Sequence, residues 1–271
     1  MKAILYRVLA AFGFFTRLPF WRIAQVPKEY YERVVPLWPL AGWLTGGVMA
    51  LVFWLCSYVL PLNLCLIAAL VSRLLLTGAL HEDGFADFCD GFGGGMSRER
   101  ILLIMKDSHI GTYGVLGLIL YYLSLYLVLD GILKVEIDHA VFSCFTLNGK
   151  FFPALIPVLF IAADSFSKWS SSNIINVLPY ARTEDTAKNG LVYSKMTATE
   201  QIVGMVLGFL PALILLEMRF YLAIAFAFLT TLALFRLMHK KIQGYTGDCC
   251  GACFILTEFV FFLTVLVIEL W

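Results

Sequence analysis

Pro36-Leu-Trp-Pro-Leu-Ala-Gly-Trp-Leu-Thr-Gly-Gly-Val-Met-Ala-Leu-Val-Phe-Trp-Leu-Cys-Ser-Tyr-Val-Leu60 runs for 25 residues without one charged side chain. A helix rises about 1.5 Å per residue and the hydrocarbon core of a bilayer is about 30 Å thick, so this stretch is long enough to cross it. Only Pro61 separates it from a second apolar run, 62–80, and the two are expected to form a tight hairpin or a broken helix. Further apolar runs at 110–129, 140–163, 202–217, 220–238 and 254–271 predict an all-α, polytopic integral membrane protein with about seven spans. Composition agrees: 61% of the 271 residues are apolar and only 14% are charged, where a soluble protein has roughly 45–50% and about 25%.

The N-terminus carries Lys2 and Arg7 around apolar residues from Ala3 to Phe15. Arg7 interrupts the apolar stretch and Thr16-Arg17-Leu18-Pro19 offers no small-residue cleavage site, so the segment reads as a retained helix lying in the membrane interface. With residues 1–35 in the cytoplasm, the inside segments are 1–35, 81–109, 164–201 and the turn at 236–253. They hold sixteen Lys and Arg, against Lys134 and Arg219 alone in the outside connections. The positive-inside rule therefore supports that orientation. The total of 20 basic and 19 acidic residues leaves no broad cationic footprint for nucleic acid. Seven Cys without regular spacing imply no disulfide framework. With no repeat and no long polar tract, residues 1–271 read as a single membrane domain with short cytoplasmic helices.

The unusual polar clusters all fall on the cytoplasmic side. In Thr77-Gly-Ala-Leu-His-Glu-Asp-Gly-Phe-Ala-Asp-Phe-Cys-Asp-Gly-Phe-Gly-Gly-Gly95, a helix continuing the second span would set Asp83, Asp87 and Asp90 at about 0°, 40° and −20° around its axis. Three carboxylates on one face repel and call for a counter-cation. Carboxylate oxygen suits Mg²⁺, Mn²⁺ or Ca²⁺, and two divalent ions bracketed by this face would clamp a pyrophosphate. The adjoining glycines, Gly84, Gly91 and 93–95, would let the backbone approach phosphate oxygens. His81 can orient a ligand. Lys106, Asp107 and His109 follow an amphipathic segment, and Gly244-Tyr-Thr-Gly-Asp248 precedes the last span. Glu258 lies inside that span, where an ionised group is costly and marks a site. Arg73 is placed either to snorkel or to face inward, and Lys150, with Asn148 and Gly149, is set within a span. Cys250 and Cys253 have redox spacing but read better as small packing residues.

These blocks resemble the signature of the cobalamin synthase family, the adenosylcobinamide-GDP ribazoletransferases of bacteria and archaea. The resemblance rests on 77–91 followed by Ile104-Met-Lys-Asp-Ser-His-Ile-Gly-Thr-Tyr-Gly114. Phe15-Thr-Arg-Leu-Pro19, Tyr180-Ala-Arg182, Gly244–Asp248, Gly251-Ala252 and Glu258 occur in the same order over nearly the whole chain. It implies a Mg²⁺-dependent transferase of the cytoplasmic (inner) membrane that joins adenosylcobinamide-GDP to α-ribazole or its 5′-phosphate, releasing GMP. It implies metal ligands at Asp83, Asp87 and Asp90 and a base or further ligand among Asp83, Asp107, Asp248 and His81. Substrate contacts are implied at Lys106, Arg182, Gly84 and Thr246. The expected partners are the two substrates and membrane lipid, with room for a homo-oligomer or a complex with other late enzymes of the pathway.

The chain departs from the family pattern at Glu82, where an apolar residue is usual and which is read as lying behind the acidic triplet or at the surface, and at Cys249-Cys250. The region 164–179 departs more. Two other readings compete. A CDP-alcohol-type phosphotransferase also uses a helical Asp cluster, but in a longer frame that includes Ala-Arg. A metal or proton transporter would spread its carboxylates through the spans at midplane depth.

Overall fold

A computed structural model describes residues 2–139, 145–147, 150–182 and 193–271. Its helices are α1 (Lys2–Phe15), α2 (Lys28–Glu32), α3 (Trp38–Ser57), α4 (Leu62–Thr77), α5 (Leu80–Gly94), α6 (Arg98–Ile104), α7 (Thr112–His139), α8 (Leu155–Ser172), α9 (Ile174–Val177), α10 (Ala198–Leu215), α11 (Tyr221–Ile242) and α12 (Gly247–Leu270). Between α7 and α8 lies a short antiparallel ribbon, β1 (Phe145–Leu147) with β2 (Lys150–Phe152), in which Phe145 faces Phe152.

Among the described residues five helical segments are long and apolar enough to cross a membrane: Val35–Ser57, Thr112–Asp138, Ala198–Leu215, Met218–Ile242 and Gly247–Leu270. The pair α4 and α5 makes a sixth if counted as one bent span. The expected seven are therefore not reached on length and apolarity. The difference lies at 140–163. Its described part starts as β-ribbon, with Lys150 in β2, and α8 begins only at Leu155; residues 140–144 and Asn148 and Gly149 lie outside the described residues, as does Lys188. Helix α8 carries on through Ser172, so the first part of the supposed connection 164–201 is a buried helix. Its first turn is capped from α7, where Glu136 Oε1 accepts from the N–H groups of Ala154 (2.7 Å) and Leu155 (2.8 Å). Such a cap satisfies donors that a helix start leaves unpaired.

Helix α8 is the polar centre of the bundle. Small residues let α3 approach it: a methyl group added at Gly42 would stand 2.6 Å from the Ser165 Cα, and one at Gly46 would stand 2.8 Å from the Ile161 Cα. A small-x-x-x-small stripe of this kind lets helix backbones touch in lipid, where apolar side chains give no preference for protein over solvent. Between the two glycines Thr45 reaches across to Asp164 Oδ2 (2.7 Å). Asp164 is bonded in turn to Lys168, whose Nζ also donates to Thr45 Oγ1 (3.2 Å). A second buried pair joins α4 to α12, where Arg73 Nη1 donates to Glu258 Oε1 at 2.5 Å and Tyr121 of α7 lies within 3.4 Å of both partners. Arg73 thus faces inward rather than snorkelling. Glu258 is the anion that neutralises it, not a member of the cavity described below. Glu82, expected behind the triplet or at the surface, is 4% exposed and accepts from the Tyr122 hydroxyl (2.9 Å).

The acidic segment does not continue α4. Gly78 (φ +66°) and Ala79 (φ +59°) are consecutive left-handed residues, and the axis turns 88°. Gly78 needs its missing side chain twice, for the positive φ and because Arg17 fills the space a Cβ would take. The Arg17 N–H closes the corner by donating to Leu76 O (2.8 Å). Helix α5 then packs across α12 where both lack side chains: a methyl at Gly84 would stand 3.0 Å from Asp248 Cα, and one at Gly251 would stand 3.0 Å from His81 O.

Removing one partner of a buried ion pair leaves the other charge uncompensated, at about 3–5 kcal/mol. Arg73→Met is expected to lower the unfolding free energy in detergent by that amount, and the double variant Arg73→Met/Glu258→Leu by clearly less. Additive losses in thermal unfolding would contradict the pairing.

Candidate active site

The 88° corner, the first turn of α12, α1 and the segments around Tyr180 and Tyr193 enclose a cavity of about 270 Å³. Six of the residues expected from the sequence line it together: His81, Asp83, Gly84, Arg182, Thr246 and Asp248. Asp83 is exposed and has no hydrogen-bond or ion-pair partner among the described residues. Asp248 sits in the first turn of α12, where the helix dipole favours an anion. Thr246 caps that helix by accepting from Cys249 N (3.4 Å), and its hydroxyl lies 3.4 Å from Asp248 Oδ2. Thr246 is thus a cap that also lines the cavity.

Two sequence blocks become neighbours here. Tyr245 N–H donates to Pro179 O (3.0 Å) and Ala181 N–H to Tyr245 O (2.8 Å), an isolated parallel bridge between 180–182 and 244–248. Gly244 allows it, since a Cβ there would stand 2.5 Å from Pro179 O. Arg98 of α6 ties both strands down, donating from Nε to Ile242 O (2.9 Å) and from Nη2 to Ala181 O (3.0 Å). Arg182 donates to Leu102 O (3.1 Å) and lines both the cavity and a more open groove of about 590 Å³ shared with Arg98 and Lys106.

The structure separates the rest. Asp90 is buried, and its two oxygens accept from the N–H groups of Gly111 (2.7 Å) and Gly114 (2.8 Å) at the start of α7. A side chain on either glycine would meet that carboxylate at 2.5 Å. Asp87 is half-buried and outside the cavity lining. Gly91, Gly93 and Gly95 do not reach the cavity either; they admit Met105, Tyr113 and Ile101, so this glycine run packs helices. Lys106 lies in the open groove. Asp107 lies at the surface, where bonds from the His109 ring (2.7 Å) and N–H (3.0 Å) hold its carboxyl below the usual range. Cys249, Cys250 and Cys253 are buried free thiols, with Cys250 against the cavity.

Several cavity residues are not site candidates in the sequence, among them Lys168, Phe14, Trp38, Tyr193 and Phe254. Lys168 carried a signal, because Asp164 and Lys168 stand one turn apart in a serine-rich run bounded by apolar residues. The aromatic residues carried none. His81 is 4% exposed, neither ring nitrogen has a hydrogen-bond partner among the described residues, and the ring lies against Phe15 (centroids 5.6 Å) and Phe254 (4.2 Å).

Among the described residues no group of three His, Cys, Asp or Glu side chains is gathered closely enough to cage a metal. The residues present still fit Mg²⁺, which keeps its waters and is commonly held by one or two carboxylates with substrate phosphates supplying further oxygens. Asp83 and Asp248 are two such carboxylates on one cavity.

A polytopic membrane protein with a partly aromatic cavity bearing carboxylates, a Lys and an Arg has the class features of a membrane-bound enzyme acting on an anionic substrate. Residues 7–267 match the cobalamin-5-phosphate synthase family, and the chain belongs to that family. It is 34% identical to the adenosylcobinamide-GDP ribazoletransferase of Leptospira biflexa, with 93% of each chain covered. The enzymes of that name from Shewanella frigidimarina (32% identical, covering 96% of this chain and 94% of the relative) and Vibrio parahaemolyticus (33%, 95% and 91%) are similarly related. No solved structure matches it.

The two ends of the acidic helix are expected to behave differently. Asp90→Ala strands two N–H groups at the start of α7 and costs about 1–3 kcal/mol of stability. Asp83→Ala, with no partner to lose, stays within about 0.5 kcal/mol of the parent. Thermal unfolding of both variants in one detergent checks the order; the reverse order would contradict these placements.

Proposed function

We propose that this protein joins adenosylcobinamide-GDP to α-ribazole or α-ribazole 5′-phosphate, releasing GMP and forming adenosylcobalamin or its 5′-phosphate, at the cytoplasmic face of the inner membrane. The observation that carries the reading is the meeting of His81, Asp83, Gly84, Arg182, Thr246 and Asp248, scattered over about 170 residues of sequence, on one cavity. The printed names of the relatives support the reaction, and the concentration of basic residues in the segments around the site supports the sidedness.

In this reading the acceptor 3′-hydroxyl attacks the phosphorus nearest the aminopropanol arm, and the bond from that phosphorus to the oxygen bridging to GMP breaks. Mg²⁺ held by Asp83 and Asp248 would neutralise the pyrophosphate and the charge that builds on departing GMP. Arg182, at the junction of cavity and groove, contacts phosphate oxygens, whereas Lys168 at the cavity wall is neutralised by Asp164. The hydroxyl proton passes to a carboxylate or to His81, whose ring nitrogens are unpartnered. Asp107, at the surface and engaged by His109, is a weaker choice. Asp90 acts through α7, whose first N–H groups it holds.

The test is GMP release from adenosylcobinamide-GDP and α-ribazole by the protein in proteoliposomes containing Mg²⁺. Asp83→Asn is expected to lower kcat by about 10²–10³ without moving the unfolding temperature, and chelation of the metal to abolish release. Gly247 lines the cavity and has no atom within 4 Å of an added Cβ, so Gly247→Leu is expected to block turnover while leaving the fold intact. Undiminished GMP release by folded Asp83→Asn would overturn the assignment; metal flux without GMP release would favour a transporter.

A further inference from the structure

The cavity lining is chemically mixed. Asp83, Thr246 and Asp248 come from α5 and the start of α12 and Arg182 from the segment after α9, whereas Phe14 and Phe15 of α1, Trp38 at the start of α3, and Tyr193 form one interlocked aromatic cluster. Phe14 stacks on Trp38 (centroids 6.3 Å), and Tyr193 and Phe15 each meet Trp38 edge-on at 5.4 Å. Tyr193 also meets Phe14 edge-on at 6.1 Å. Its segment is pinned on the C-terminal side, where Ser194 N–H donates to Glu32 O (3.1 Å) and Met196 N–H to Asn176 Oδ1 (2.8 Å). The rings are therefore ordered by contacts from four parts of the chain before any ligand arrives.

We infer that this aromatic cluster holds the base of the acceptor nucleoside and sets which bases are accepted, with the ribose directed toward Asp83 and Asp248. The inference rests on the reaction proposed above and adds to it a subsite for one of the two substrates. Size is the first argument. At about 270 Å³ the cavity sits just below the roughly 300–1,000 Å³ of common small-molecule pockets. It suits a nucleoside and excludes a corrin macrocycle with its amide arms, so the corrinoid stays outside while its phosphorylated arm reaches in.

Polarity is the second argument. The base of α-ribazole is a flat bicycle with two methyl groups and, once joined to ribose, a single acceptor nitrogen and no N–H. Guanine, the base of the other substrate, presents donors and acceptors along its edge, each costly to bury unpaired. The polar atoms of the cluster's own rings are the Trp38 Nε1–H, which has no acceptor among the described residues, and the Tyr193 hydroxyl, with Lys168 Nζ 5.4 Å and the His81 ring 5.6 Å from the Phe15 ring centre. Such a surface suits the acceptor base and leaves most of guanine's edge unmatched. Stacking of a base on aromatic rings supplies the binding.

The experiment measures equilibrium binding of α-ribazole alone, and of GMP alone, to the full chain in nanodiscs, beside steady-state kinetics for both substrates. Trp38→Leu and Tyr193→Leu are each expected to raise the Kd and KM for α-ribazole about 5- to 100-fold. The KM for adenosylcobinamide-GDP and kcat are expected to stay within about twofold, the pattern of lost uniform binding. Trp38→Phe, which keeps a ring and tests for a merely structural effect, should recover most of the loss. In the parent protein GMP should not displace α-ribazole. The inference is overturned if GMP does displace it, if the variants raise the corrinoid KM instead, or if folded variants bind α-ribazole like the parent. Absence of GMP release by the parent protein with every riboside would sink the proposed reaction separately, while the binding measurements would still decide where the base sits.

Discussion

Lys168 and Arg73 both lie against the ring of Phe254, with Lys168 Nζ 4.2 Å and the Arg73 guanidinium carbon 5.6 Å from its centroid. Each cation is fully buried and neutralised by its own carboxylate, Asp164 and Glu258. In a bundle whose outer surface meets hydrocarbon, an unpaired charge at this depth is costly, so the helices that carry these groups are obliged to meet. That obligation joins α3 and α8 through Thr45 and Asp164, and α4, α7 and α12 through Arg73, Tyr121 and Glu258. Phe254, one turn of α12 beyond Cys250, is at once a wall of the cavity and the surface on which both cations rest. The ionic core and the site therefore share a boundary: Lys168 reaches the cavity wall, while Asp164, Arg73 and Glu258 stay outside it.

The second constraint is the corner at Gly78 and Ala79. All three aspartates lie beyond the corner on the one helix α5, so the corner decides not their spacing but what packs against each of them. The left-handed pair turns α5 across α12, which leaves its carboxylates among different neighbours. Asp83, near the corner, opens on the cavity; Asp90, two turns further on, is spent on the start of α7. This division explains why three acidic residues at helical spacing do not form one three-carboxylate nest.

Much of this was legible in the sequence, for physical reasons particular to each element. The apolar runs at 36–60, 202–217, 220–238 and 254–271 announce helices because lipid-facing residues leave no other way to satisfy the backbone. The expected 140–163 span failed because its apolar character there belongs to a β-ribbon and to a helix that is buried rather than lipid-facing. Among the site residues, His81, Asp83 and Asp248 could be named because charged, polar and glycine-flanked blocks stand out against an apolar background, whereas Arg182 and Thr246 were implied by the family resemblance alone. Asp90 could not be told from Asp83, since spacing gives a helical face but not what packs on it. Lys168 looked like part of a polar connection until α8 was seen to run through it. Trp38 and Tyr193 were invisible, because aromatics in a chain that is 15% aromatic carry no local mark of a binding wall.

The central claim is that the enclosed cavity, and not the open groove beside Arg98 and Lys106, is where carboxylates, metal and the reacting phosphate meet. A structure of the protein in a nanodisc with Mn²⁺ replacing Mg²⁺, α-ribazole and a non-reacting adenosylcobinamide-GDP analogue tests it most directly. The account predicts anomalous metal density at coordination distance, about 2.0–2.2 Å, from carboxylate oxygens of Asp83 and Asp248, with the analogue's phosphate beside it. Metal and phosphate bound in the outer groove, with both carboxylates unligated, would contradict it.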